Sequence, residues 1–194
     1  GGVYRDWYNA NNAIKHINKS ITIQAFPGEK PWFDGTDVVS DSWQQSGNIW
    51  VRDWSTPQFC DGKYYDALDG VSPVSPNLKR NSPCTWADSI ADPAYPVAGD
   101  PQLAFVNGNQ LLQKGTLSEV IPNSKTFYYD WTNRKIYVSE NPQTNTIELS
   151  TRPGAMVLGG AYNFAVKGIG FRRYASQHIG GPGGTVIYVG LGGA

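Results

Sequence analysis

Thr146-Ile147-Glu148-Leu149, Arg152-Pro153-Gly154-Ala155-Met156-Val157-Leu158-Gly159-Gly160, Phe164-Ala165-Val166-Lys167-Gly168-Ile169-Gly170-Phe171 and Gly184-Thr185-Val186-Ile187-Tyr188-Val189-Gly190 follow one another toward the end of the chain. Each is a short run rich in β-branched, aromatic or other apolar residues, bounded by Gly or Pro and too short for a helix. Ile147, Val166 and Ile187 recur at intervals of roughly twenty residues, a spacing that predicts stacked coils of a solenoid. One coil cannot bury its own apolar face and needs neighbours above and below. An ordinary antiparallel sheet with Gly-rich turns accounts for the same runs, and both readings stand on this stretch alone.

Working outward, Ile21-Thr22-Ile23-Gln24-Ala25-Phe26 alternates apolar and polar as one strand, Pro27-Gly28 turns it, and Trp32-Phe33-Asp34-Gly35 forms a second strand and turn. The pattern matches the later coils, so a long insertion is expected between two parts of one solenoid. Between them, Gly47 to Arg52 reads as a strand, and Asn107-Gly108 is a hairpin signal between Leu103–Val106 and Gln110–Leu112. Thr126–Asp130 and Lys135–Val138 form a second hairpin around Trp131–Arg134, so a small antiparallel sheet is expected there. A helix over Asn11–Asn18, where Ala13, Ile14 and Ile17 share a face, competes with a loop leading into Ile21.

The composition agrees with an all-β protein. Of 194 residues only 16% are charged, while 22 are Gly and 13 Pro, against a usual charged share of about a quarter. Sixteen basic and sixteen acidic residues cancel, so no net field draws nucleic acid or an anionic membrane. No apolar run reaches the ~18 residues of a membrane-spanning helix. The chain opens on Gly1-Gly2-Val3 and ends soon after a strand, which predicts a piece of a longer protein with any export signal removed or upstream.

Cys60 and Cys84 lie in the irregular stretch between Trp54 and Asp100. In an exported protein they would form one disulfide, closing a loop of about 25 residues and worth ~3 kcal/mol; in a cytosolic one they would be free thiols. Low charge and many tryptophans favour the disulfide. A zinc site is not expected, since neither His16 nor His178 has finger-type spacing from the thiols.

Taken together, Ile21–Glu29 ending in Phe33-Asp34-Gly35, the Thr126–Val138 hairpin and Phe164–Arg172 resemble bacterial right-handed parallel β-helix proteins of the pectate-lyase-like superfamily, a group of secreted carbohydrate-active enzymes. Residues 53–100 depart from that pattern. The resemblance implies N-terminal coil or coils at residues 1–35, an inserted irregular and β-hairpin subdomain at 36–145, and further coils, truncated at the C-terminus, at 146–194. It also implies secretion to the extracellular space or cell surface and action on polysaccharide as a lyase or glycoside hydrolase. The bond-breaking residues are expected mostly outside this chain. A non-catalytic glycan-binding or adhesin module, and a purely structural solenoid fragment, remain as alternatives.

Candidate residues follow from the chemistry. A glycoside hydrolase needs two facing carboxyl groups, and Asp34, Asp37 and Asp41 lie close together in sequence, where they also suit turns and caps. Arg172 and His178 sit near a coil turn, placed either for an acidic sugar or for solvent. Asp61, Asp66 and Asp69 have oxygens of the kind calcium takes, in no recognised loop spacing, so no cofactor is expected unless calcium binds there. Trp43, Trp50, Trp54, Tyr64, Tyr65, Trp86 and Tyr95 crowd one region. Their flat apolar faces with polar edges suit sugar rings and equally suit a mini-core of the insertion.

Overall fold

Runs of three to five residues with period-two alternation, broken by turn residues, can bury a face only by pairing sideways. The computed structural model describes residues 2–5, 8–9, 21–54, 97, 100, 102–130, 132–152, 154–159, 164–175 and 186–190. Among them it is all-β, with a single 3₁₀ turn at Leu117–Glu119. The strands are β1 (Val3–Tyr4), β2 (Tyr8–Asn9), β3 (Ile21–Gln24), β4 (Trp32–Asp34), β5 (Thr36–Val38), β6 (Gln44–Ser46) and β7 (Ile49–Asp53). After them come β8 (Ala104–Val106), β9 (Asn109–Gln110), β10 (Leu112–Gln113), β11 (Thr126–Asp130), β12 (Lys135–Val138) and β13 (Ile147–Ser150). The last four are β14 (Met156–Gly159), β15 (Phe164–Lys167), β16 (Gly170–Arg172) and β17 (Ile187–Gly190). The chain divides into two compact units, one of Gly1–Asp37 with Ser150–Ala194 and one of Val38–Leu149.

The first unit is built from parallel ladders: β1–β4–β16, β2–β14–β17 and β3–β15. Along the chain the strands visit these ladders in cyclic order, with β1, β2 and β3 followed by β4, β14 and β15, then β16 and β17. Like residues therefore meet in register. Tyr4 pairs with Phe33 and Phe33 with Phe171, and their rings stack at centroid separations of 5.7 and 5.5 Å. Stacked pairs of this kind are worth about 0.5–1.5 kcal/mol beyond their buried area. Phe33, Phe171, Val166 and Ile187 pack on the buried Ala155, Met156 and Tyr174. On the neighbouring row Trp32 pairs with Gly170, where a Cβ would fall 2.4 Å from the Trp32 ring. Only glycine lets that indole lie so close to the backbone.

The twenty-residue recurrence of Ile147, Val166 and Ile187 does not describe the stacking. Val166 pairs with Ile23 and Ile187 with Met156, whereas Ile147 lies in the second unit, antiparallel to Val106. The long insertion separates ladder neighbours in sequence, so a short repeat cannot be read off the chain.

The second unit holds a five-stranded sheet in the order β10–β11–β12–β7–β6. The hairpins β11–β12 and β6–β7 are antiparallel, and β12 also pairs antiparallel with β7. Beside these, β13 pairs with β8 and β8 with β9 across the Asn107-Gly108 turn. Both turn residues have positive φ, 48° and 79°, the conformation that Asn and Gly tolerate best. The core gathers Phe127, Tyr129, Ile136, Val138, Ile147 and Leu149, each 1% exposed or less. Helix Asn11–Asn18, Cys60, Cys84, Asp61, Asp66 and Asp69 lie outside the described residues.

Candidate functional site

Of the carboxylates singled out in the sequence, Asp34, Asp37 and Asp41 are each engaged with a cation. Asp34 ends β4, and its side chain is fully buried. Its Oδ1 accepts from the Thr36 backbone N–H at 3.0 Å and from the Thr36 hydroxyl at 2.7 Å. Its Oδ2 accepts from Arg172 Nε at 2.7 Å, with Arg173 Nη1 at 3.8 Å. Burial alone would raise this carboxyl's pKa, but the Thr36 and Arg172 hydrogen bonds and the Arg173 charge together hold it below the ordinary aspartate value. Asp34 is thus an anion fixed between donors, with no proton to give.

Asp37 takes Arg152 Nη1 at 3.0 Å on one oxygen and the Thr151 hydroxyl at 2.8 Å on the other. Arg152 also donates to the Arg5 carbonyl at 2.9 Å. Asp41, in the second unit, is bound by Arg52 Nη1 at 3.2 Å. Arg172, besides holding Asp34, lies over the Trp32 ring at 5.3 Å. Its guanidinium is committed on two sides. His178 is outside the described residues.

The tryptophans divide by what covers their faces. Arg52 projects from β7 with its guanidinium 5.7 Å from the Trp43 ring centroid and 5.3 Å from that of Trp54. Trp43 further donates its indole N–H to the Val39 carbonyl at 2.9 Å, and the Trp54 carbonyl accepts from the Tyr129 hydroxyl at 2.9 Å. These two rings hold the sheet's end together through a shared cation. Trp50 is different. It pairs with Val138 of β12 on one side and with Gln45 of β6 on the other, and it is half-buried in the wall of an open cleft of about 440 Å³. Tyr64, Tyr65, Trp86 and Tyr95 are outside the described residues.

The β6–β7 hairpin supplies one wall of this cleft with Gln45, Asn48 and Trp50. Its tip is Gly47, at a φ of 63°, which turns the chain so that Asn48 stands beside the strand. Pro122 and Asn123 form a second wall, while Ser139, Asn141 and Gln143 come from the end of β12 and the turn after it. A hydrogen-bond network fixes these segments. Asn123 N–H donates to the Ser139 carbonyl at 3.1 Å, the Thr126 N–H to the Ser139 hydroxyl at 2.9 Å, and the Gln143 N–H to Asn141 Oδ1 at 2.8 Å. Among the described residues, the carboxamides of Asn48, Asn123 and Gln143 carry no hydrogen bond within the protein. The described lining contains no charged side chain.

Sequence reasoning placed Trp50 among the candidates and missed Gln45, Asn48, Asn123, Asn141 and Gln143. The available signal was the density of Asn and Gln at residues 44–48 and 141–145. Read locally, it indicated turns.

No protein-family model matches the sequence, and no curated protein matches it. Among solved structures, the fold is similar to that of a protein called XylC, determined in complex with xylose, with a TM-score of 0.55 and 18% sequence identity. The match covers 90% of this chain and 29% of XylC, so the chain spans less than a third of that protein's length. At this identity the likeness concerns the fold, an all-β architecture.

Proposed function

We propose that this chain is part of a secreted right-handed parallel β-helix protein that acts on polysaccharide, and that its own contribution is to hold the glycan. Three parallel ladders visited in cyclic order are what stacked coils produce. XylC, whose structure was solved with xylose, shares the fold coarsely. Bond cleavage, by a lyase or glycoside hydrolase mechanism, is assigned to groups mostly outside these residues, because Asp34, Asp37 and Asp41 are each tied to an arginine. Asp34 in particular, buried and held as an anion by Thr36, Arg172 and Arg173, is a poor general acid. The observation that carries the reading is the Trp50 ring set beside unpaired carboxamides in one cleft. An indole stacks on the C–H face of a sugar, while a carboxamide offers both donor and acceptor to hydroxyls.

Affinity electrophoresis through gels containing soluble polysaccharides, run beside a reducing-end assay, tests this. The chain is expected to be retarded by at least one glycan without releasing reducing ends. Trp50→Ala should weaken binding about tenfold or more, as loss of a central aromatic anchor does. Absence of retardation across neutral and acidic glycans would sink the binding role, and released reducing ends would move catalysis into this chain.

A further inference from the structure

We infer that the cleft of the second unit selects an uncharged saccharide segment, one bearing free hydroxyls and no carboxylate; this rests on the glycan-binding reading above and specifies its ligand. A uronic acid entering the cleft would give up water around its carboxylate and needs a cation or several N–H donors in return. The described lining offers no lysine, arginine or histidine. In the same unit Arg52 is paired with Asp41 and Lys135 with Asp53, and Lys114, Lys125 and Arg134 do not line the cleft. Glu140 lies between two lining residues, Ser139 and Asn141, with its Oε1 accepting from the Lys125 N–H at 2.8 Å. A second carboxylate close to it would be repelled.

What the cleft does offer suits hydroxyls. A sugar hydroxyl donates once and accepts twice, and a primary carboxamide does both. Asn48, Asn123 and Gln143 can therefore each donate to one of two vicinal hydroxyls and accept from the other. The volume of about 440 Å³ falls within the roughly 300–1,000 Å³ typical of small-ligand sites, enough for a short saccharide segment and too small for a folded partner. Trp50 closes one side with an apolar surface, which favours the less polar ring face.

The experiment is a calorimetric titration of the whole chain with two forms of the same oligosaccharide: an oligouronide, and that oligouronide with its carboxyls reduced to primary alcohols. Neutral xylo-oligosaccharides and gluco-oligosaccharides serve as further probes. The neutral forms are expected to bind at least tenfold more tightly than the oligouronide, with little change between low and high salt. Asn48→Lys, an exposed substitution on a hairpin tip, is expected to raise oligouronide affinity at low salt and to narrow the gap. Equal affinity for the acidic and reduced forms, with binding abolished by Trp50→Ala, would overturn charge selection and leave the glycan-binding reading intact. Tighter, salt-sensitive binding of the oligouronide would likewise overturn it. Binding of none of these saccharides would remove the glycan reading itself.

Discussion

Asp34 shows most directly how a side chain's role depends on its partners. Its sequence context, Phe33-Asp34-Gly35-Thr36, fits a turn residue and fits one half of a catalytic pair equally well. In the structure it is a buried anion between Thr36, Arg172 and Arg173. Because its folded pKa lies below the unfolded value of about 3.9, its contribution is fully present above that value and is lost as pH falls through the folded pKa. Asp34→Asn would turn an amide N–H toward Arg172 Nε and leave donor facing donor. The substitution is expected to cost about 2 kcal/mol at pH 7, a buried-pair figure lowered for the partly exposed Arg172. Urea denaturation from pH 7 to pH 2.5 checks it: the gap between wild type and variant should begin to narrow as pH falls below about 4 and go on narrowing toward the acid end. A gap that stays constant with pH would mean that the carboxylate's charge is not what stabilises the fold.

At the scale of elements, turns and ladders are governed by different ranges of interaction. Asn107-Gly108 is a local instruction, and it yields the β8–β9 hairpin with both residues at positive φ. The Asn107 side chain also reaches beyond its own hairpin, donating to Asn145 Oδ1 at 2.8 Å and accepting from the Thr146 N–H at 2.9 Å. It thereby sets where β13 begins. Asn107→Ala should destabilise the second unit by about 1–2 kcal/mol, combining a disfavoured left-handed backbone with lost hydrogen bonds. Asn107→Gly keeps the turn and loses only the side-chain bonds, so it should cost about 1 kcal/mol. Chemical denaturation of the two variants separates turn geometry from bridging; equal costs would assign the whole effect to the side chain. The ladders offer no such local cue. The in-register stack of Tyr4, Phe33 and Phe171 consists of residues that nothing in their immediate neighbourhoods links.

For the whole molecule, the division into two units has an experimental consequence. The second unit carries its own core, and its chain enters and leaves at adjacent points, with the Val39 N–H bonded to the Ile147 carbonyl at 2.9 Å. Closely spaced ends and an independent core are the conditions under which an inserted segment folds alone. Residues 38–149 expressed separately are expected to give a dispersed NMR spectrum and a cooperative thermal transition. A spectrum typical of an unfolded chain would show that this unit depends on the first.

The strand character of most segments, the hairpins at Asn107-Gly108 and Thr126–Val138, and the all-β class were legible from residue order alone. Alternation and turn preference act over a few residues and need no partner to be read. Which strands became ladder neighbours was settled only by the tertiary structure, because pairing Val166 with Ile23 or Ile187 with Met156 depends on contacts across long stretches of chain. The same holds for chemistry. Arginines tied up Asp34, Asp37 and Asp41 in ion pairs, and Arg52 covered two of the candidate tryptophans. The cleft arises where a hairpin, a turn and a strand end, each unremarkable alone, are brought together around Trp50. A side chain's identity is a local property, whereas its partners and its access to solvent are fixed only when the chain folds.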